Sequence, residues 1–345
     1  MIDKKYCMSS YLALRYIERN DMDFYEGMQH EDAKVICRGE QIQIETEENI
    51  DIELQKTFDS LRDEKLGILL SGGMDSGILA SYMRECDAYT FRFLGGSYQR
   101  EELERAEYYA KVGGLRLHYV DINWKVATEP LPLLMKGKAE PVHSIEPQLY
   151  QAAVQAKCDG VERLVTGASA DLIFGGMDKL LAQDWLWEDF MKRYTFTQPE
   201  DVLADPDDMS YVFERYRNGN KIDFLKFMKD VSLIELLSSY KNAFAVAGMP
   251  YIDPYAKMVL AEPLDLERIR KGESKYLIRQ LYRKKYPDIE IPEKIPMPRP
   301  VDFYFKDWKG PRRYEFRKDI DMEKFTGNQK WQIYCLEQFL NMFEK

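Results

Sequence analysis

The stretch "LLSGGMDSGILASYM", Leu69–Met83, decides the fold. An apolar run, "LGILL" at 66–70, stops at Ser71-Gly72-Gly73, and apolar residues at helical spacing take over at 76–86. Strand, glycine turn and helix start together make an anion site. The turn points backbone N–H groups outward, and the helix dipole favours negative charge there. Gly72 and Gly73 let a phosphate approach the main chain closely, and Ser71 and Ser76 add hydroxyl donors. Neither GxxxxGK(S/T) nor GxGxxG occurs, so the pattern is neither an ordinary P-loop nor a dinucleotide-binding turn. Asp75 is out of place in a pure anion pocket, because a carboxylate beside phosphates calls for a cation between them. Mg²⁺ meets that need, typically held by one or two carboxylates plus phosphate oxygens.

Outward from this stretch, "AYTFRF" (88–93), "RLHYVDI" (116–122) and "RLVTG" (163–167) are further short apolar runs. Helical patterns at 76–86, 101–112 and 146–158 separate them. Strands alternating with helices at this spacing predict an α/β fold, a parallel twisted sheet with flanking helices. From about 180 the strand signal fades. "LLAQDWLWEDFMKRY", "KIDFLKFMKDVSLIELLSSYKNAF" and "NQKWQIYCLEQFLNMF" predict a helical C-terminal half whose aromatic stripes are core, interrupted by an acidic loop at 199–210. Residues 1–60 read as a small α+β appendage: a helix in "SSYLALRYIERN", a hairpin turning at Arg38-Gly39, and an amphipathic helix in "DIELQKTFDSLRD". The expected division is 1–60 for the appendage and 61–345 for the main domain.

Charge and composition exclude several classes. A net charge of -10 without a dominating Lys/Arg run argues against non-specific nucleic-acid binding. No apolar stretch approaches the roughly 20 residues of a membrane span. The first residues, "MIDKKYCMSS", lack a signal-peptide apolar region. Five cysteines without CxxC spacing fit reduced thiols and a cytoplasmic protein. Three histidines and no HExxH leave no expectation of zinc.

Four motifs in order carry a resemblance. "SGGMDS" matches the SGGxDS motif of the PP-loop ATP pyrophosphatases. "LVTGASADLIFGGM" (164–177) resembles the asparagine synthetase signature G-E-G-(S/A)-D-E-(I/L)-F-G-G, and "MPYIDPYAKMVL" (249–260) resembles that family's "VPFLD" segment. "GESKYLIRQLYRKKYPD" (272–288) is similar to its Lys-containing segment. The chain thus resembles the asparagine synthetase C-terminal domain and the β-lactam synthetases over about 66–300. The resemblance implies an adenine nucleotide α-hydrolase-like fold and an enzyme that splits ATP between the α and β phosphates to adenylate its substrate. It implies ATP and Mg²⁺ as cofactors. Ser71, Gly72, Gly73, Asp75, Ser76, Gly167 and Asp171 would bind the nucleotide, and Asp75 and Asp171 would ligate Mg²⁺. Lys275 would neutralise developing charge.

Two departures from the family pattern bear on the acceptor. The motif arrives by residue 71, so no glutaminase domain is expected before it, and glutamine hydrolysis is not expected of this chain. The Glu of G-E-G is Ala168, and the next Glu of the signature is Leu172. In the related β-lactam synthetases a Tyr at the Ala168 position works with a Glu on a later helix. Glu235 lies near that helix position, and Glu146 lies on a loop where family members contact substrate. Either is a candidate base, and a base must lie within hydrogen-bond reach of its proton. His143 is a candidate ligand contact, with a structural role as the other reading. The expected activity is an AMP- and pyrophosphate-forming ligase joining a small-molecule carboxylate to ammonia or an amine, with a separate glutaminase as one nitrogen source. Neither nucleic acid nor membrane is expected as a partner, and a homo-oligomer is compatible with the sequence. The alternatives are a degenerate nucleotide-binding regulatory subunit, or another PP-loop chemistry such as thiolation.

Overall fold

Leu66–Leu69 forms the central strand, β1, of a five-stranded sheet. The structure is a computed structural model and describes residues 1–30, 41–95, 100–293 and 300–344. The other strands are β2 (Asp87–Phe93), β3 (Arg116–Ile122), β4 (Arg163–Val165) and β5 (Tyr251–Ile252). Their order is β3-β2-β1-β4-β5, and every pairing is parallel. The chain leaves β1 towards β2 and β3, then returns to its other side for β4 and β5. In open α/β sheets a crevice opens outside the carboxyl ends of the strands where the order reverses. That point lies between β1 and β4, and the segments 71–76 and 166–171 follow these two strands.

Helices α1 (Lys4–Leu14) and α2 (Glu47–Ser60) precede the sheet. Helices α3 (Met74–Ala80) and α4 (Arg100–Gly113) lie in the two crossovers that run from β1 through β2 to β3. Helix α5 (Glu146–Cys158) leads into β4, and α6 (Leu233–Ala247) leads into β5. Helices α7 (Tyr276–Lys285) and α8 (Gly327–Phe343) follow. Side chains alternate across a strand, and here the alternation separates two cores. Leu66, Ile68, Ala88 and Val165 pack with Ile78 and Leu79 of α3, Tyr109 of α4, Leu281 of α7 and Leu54 of α2. Tyr89, Phe93, Val120 and Leu164 pack in the other core, which takes in Leu149 of α5, Phe244 of α6 and Leu336 of α8. Among the described residues no helix is long and apolar enough to cross a membrane.

The segment 1–60 enters both cores. Tyr11, Leu12 and Leu14 belong to the same core as α8, while Ile44, Ile50 and Phe58 belong to the other. Ile42–Ile44 pairs in parallel with Met258–Leu260, and the hairpin turn expected at Arg38-Gly39 lies outside the described residues. Helix α1 covers 4–14, whereas the spacing predicted a helix in 9–20. It stops at Arg15, which is left-handed at φ 66°. Tertiary bonds explain the stop. Arg15 N donates to Tyr11 O, Phe196 N to Ala13 O and Thr197 N to Leu12 O, so neighbouring chain and the cap take the carbonyls that a next turn would use.

Two other helical runs are interrupted. The stretch 180–194 contains Trp187–Tyr194 after a break that follows Asp178–Leu181. The stretch 221–244 begins with a two-residue strand and passes through a π turn at Met228–Ser232 before α6. A π turn often marks a functional site, and this one lies just before Glu235. The acidic loop at 199–210 begins with one helical turn, Pro199–Val202.

Leu12 is fully buried in the core that includes α8. Leu12→Ala is expected to lower the unfolding free energy by about 2–5 kcal/mol, measured by urea denaturation. A loss well below 1 kcal/mol would mean that α1 is not an integral part of that core.

Candidate active site

The loop after β1 is built around two serines. Ser71 N donates to Ser76 Oγ at 3.1 Å, the two hydroxyls lie 2.9 Å apart, and Gly73 N donates to Ser71 Oγ at 3.2 Å. Helix α4 holds the loop from outside, with Arg105 Nε donating to Gly72 O at 3.0 Å. A Cβ on residue 72 would lie 2.5 Å from the backbone oxygen of Glu102, so only glycine allows α4 this close. Glu102 sits against the same loop. Burial pushes its carboxyl up to about 7, although Arg105 pulls the other way, and its Oε2 is buried without a hydrogen-bond partner.

Asp75 opens α3, Asp171 lies in the turn Ala170–Ile173 after β4, and Lys275 stands at the start of α7. The fold brings them to one point. Lys275 Nζ lies 2.5 Å from Asp75 Oδ2 and 2.5 Å from Asp171 Oδ1. Lys275 is 6% exposed and left-handed at φ 52°. Burial alone would lower its pKa, but the charges of Asp75 and Asp171 outweigh burial and hold it raised. Gly176 makes room for this ion pair, since a Cβ there would fall on Asp171 Oδ1 and Lys275 Cε. The turn carrying Asp171 is fixed from β5. Ser169 donates through N (2.7 Å) and Oγ (2.6 Å) to Asp253 Oδ2, and burial pushes the Asp253 carboxyl up to about 6.

The loop 71–76, Glu102, Arg105, Asp171 and Lys275 line a cleft of about 360 Å³, together with Thr166, Gly167, Ala168, Arg279 and Tyr240. A second polar cluster lines the same cleft. Arg15 Nη2 donates to Glu235 Oε2 at 2.6 Å, Arg15 Nη1 lies 3.1 Å from His143 Nε2, and His143 Nε2 lies 3.7 Å from Glu235 Oε1. Of the expected site residues, Ser71, Gly72, Gly73, Asp75, Ser76, Gly167, Asp171, Lys275 and Glu235 all line the cleft. Glu146 does not. It is fully buried, and its carboxylate accepts from Lys138 Nζ (2.9 Å), Asn242 Nδ2 (2.7 Å) and His143 N (2.8 Å). The structure therefore places Glu146, expected as a candidate base, behind the cleft, where it accepts from the backbone of His143.

Arg15, Glu102, Arg105, Gly176 and the buried, unpartnered hydroxyl of Thr166 were not singled out from the sequence. Gly176 had a legible signal, the second glycine of "FGGM". Arg15 had none, since nothing local sets it apart from other arginines on a helix.

The asparagine synthase family model matches residues 54–231, just over half of the chain. The chain belongs to the asparagine synthase family. That places it among ATP-using, ligase-type enzymes. Arg15, Glu235 and Lys275 all fall outside the matched segment. No curated protein matches the chain. Among solved structures, NMN synthetase from Francisella tularensis is similar at 13% identity over 72% of this chain and 96% of that one, with a TM-score of 0.29. The U34-tRNA thiolase NcsA from Methanococcus maripaludis, with its 4Fe-4S cluster, is similar at 14% identity over 71% of this chain and 82% of that one, with a TM-score of 0.27. Likenesses this weak say nothing about what the asparagine synthase family member described here acts on.

The buried Glu102 carboxyl gives a pH prediction. Its folded value of about 7 lies above the ordinary 4.5, so the folded state holds the proton more tightly. The resulting stabilisation is complete below about 4.5 and is lost as pH rises through about 7. Relative to Glu102→Gln, the wild-type chain should lose stability between pH 5 and pH 8, measured by denaturant unfolding at both values. Parallel curves for the two proteins would show that Glu102 is not perturbed.

Proposed function

We propose that the cleft binds ATP with Mg²⁺, splits it to AMP and pyrophosphate while adenylating a carboxylate, and lets ammonia or an amine displace AMP to form an amide or lactam. The observation that carries this reading is the convergence of Asp75, Asp171 and Lys275 beside the Ser71–Ser76 loop. Two carboxylates and one ammonium leave a formal charge of -1 at a point that a pyrophosphate group would face. The donor set fits Mg²⁺, which binds through one or two carboxylates with phosphate oxygens completing its shell. Asp75 and Asp171 would hold the ion, and the ion would supply charge neutralisation on the phosphate oxygens.

The chain's own residues divide the remaining work. The loop after β1, with the Ser71 and Ser76 hydroxyls, would hold pyrophosphate oxygens. Lys275 already sits at the carboxylate pair. An ammonium fixed there by two ion pairs is preorganised to stabilise charge that develops on the leaving phosphates or the acyl centre. Ala168 carries no acid or base, so proton transfer at the acceptor falls to a neighbouring group. Glu235 is the carboxylate of the second cluster and the better candidate base of the two expected, since it faces the cleft. Water-soluble substrates and a cytoplasmic site of action accord with this chemistry.

ATP labelled in its terminal phosphate should release the label as pyrophosphate while the adenine moiety appears as AMP, once an accepted carboxylate and amine are supplied. Stoichiometric ADP would refute α,β cleavage. Lys275→Ala should lower kcat by about 10²–10³ with a smaller change in nucleotide affinity. Unchanged kcat with a raised KM for ATP would reduce Lys275 to a binding residue.

A further inference from the structure

Four described residues other than glycine have positive φ: Arg15, Glu85, Ala139 and Lys275. Two of them, Arg15 and Lys275, line the cleft with charged side chains. Backbone held in this region costs free energy, and such residues gather where function requires a side chain at a set place. Lys275 is accounted for by the proposed phosphate chemistry. At Arg15 the left-handed turn is the cap of α1, but capping does not explain why a charged side chain is turned into the cleft there.

The surroundings of Arg15 fix it firmly. The end of α1 is bonded to three separate parts of the chain. Tyr11 Oη donates to Val142 O at 3.0 Å, Gln332 Nε2 donates to Leu12 O at 3.1 Å, and the backbone of Phe196 and Thr197 bonds to Ala13 and Leu12. The guanidinium lies over the Phe196 ring, 4.2 Å from its centroid. It therefore presents its remaining edge to the cleft, where Glu235 and His143 meet it. His143 stands beside the same group, with Arg15 Nη1 at its Nε2 and Ile145 N 3.2 Å from its Nδ1, and because one ring nitrogen carries the proton only one of these two can be an accepted hydrogen bond. The Glu235 carboxylate is only 13% exposed and the Arg15 side chain 24%. An ion pair so desolvated gains little net stability over an apolar packing of the same volume. A stacked guanidinium facing a cavity is, by contrast, well suited to bidentate recognition of a carboxylate or phosphate.

We propose that Arg15 determines acceptor specificity by binding an anionic group of the acceptor, a carboxylate or phosphate(phosphonate) distinct from the carbonyl that is activated. Glu235 is its internal counter-ion until the acceptor arrives. The exchange has a second consequence. When the acceptor's anion takes over Arg15, Glu235 gives up its 2.6 Å bond to the guanidinium and becomes able to accept a proton from the attacking amine. The acceptor thus frees the base that its own reaction needs. This rests on the proposed ligase reading for the identity of the acceptor, but the anion site itself does not require turnover.

The test is calorimetric titration of the full chain, saturated with Mg²⁺ and α,β-methylene ATP, with glutarate, phosphonoacetate and the singly charged control butyrate. Wild-type protein is expected to bind glutarate or phosphonoacetate at least about tenfold tighter than butyrate, the effect of charge-assisted hydrogen bonds from one guanidinium. The better of the two identifies carboxylate or phosphate as the preferred anion. Arg15→Met should abolish the preference, Arg15→Lys should keep part of it, and Glu235→Gln should tighten binding by removing the internal competitor. Thermal unfolding and nucleotide binding of each variant check the fold. Equal binding of butyrate, no binding of either dianion, or a preference that survives Arg15→Met would each overturn the proposal. If Arg15→Met does not fold, Glu235→Gln decides, and unchanged or weaker dianion binding overturns it. The ligase reading fails separately, on release of ADP in place of AMP.

Discussion

The position of one buried ammonium organises this molecule. Lys275 Nζ is held 2.5 Å from a carboxylate oxygen of Asp75 and 2.5 Å from one of Asp171, and the three residues come from three elements far apart in the chain. A lysine almost removed from water would be costly without partners, and the two carboxylates supply them. The ion triad therefore couples the loop after β1, the turn after β4 and the start of α7. Gly176 leaves the space it occupies, and the Ser169–Asp253 bonds hold the turn that carries Asp171. The sheet sets up this meeting, because parallel pairing of β1 and β4 puts both carboxyl ends on the same side.

The second cluster has a different logic. Arg15, His143 and Glu235 are supplied by α1, by the segment before α5 and by the helix after a π turn. Each is braced from behind, Arg15 by Phe196 and the bonded end of α1, and His143 by the buried Glu146–Lys138–Asn242 group. Side chains ordered in this way lose little further entropy when a ligand arrives. One half of the cleft is thus assembled from backbone turns around one ion triad, and the other half from long side chains held by packing.

The sequence by itself determined the α/β sheet and the glycine loop after its first strand, because both rest on local rules. Short apolar runs, glycines at a strand-to-helix turn and a carboxylate beside them are patterns among residues a few positions apart. The strands at 66–69, 87–93, 116–122 and 163–165 were legible for that reason, and so were Ser71, Gly73 and Asp75. The two-residue strand β5 was too short to show a period. Tertiary structure alone decided the rest. The helical pattern of 9–20 gives no hint that the chain turns at Arg15, because carbonyl partners from residues 196, 197 and 332 stop the helix. Glu146 and Glu235 look alike as candidate carboxylates in the sequence, yet one is enclosed by Lys138 and Asn242 and the other lines the cleft. Whether a carboxylate braces a wall or faces a ligand depends on what packs against it from distant parts of the chain, and no local spacing encodes that.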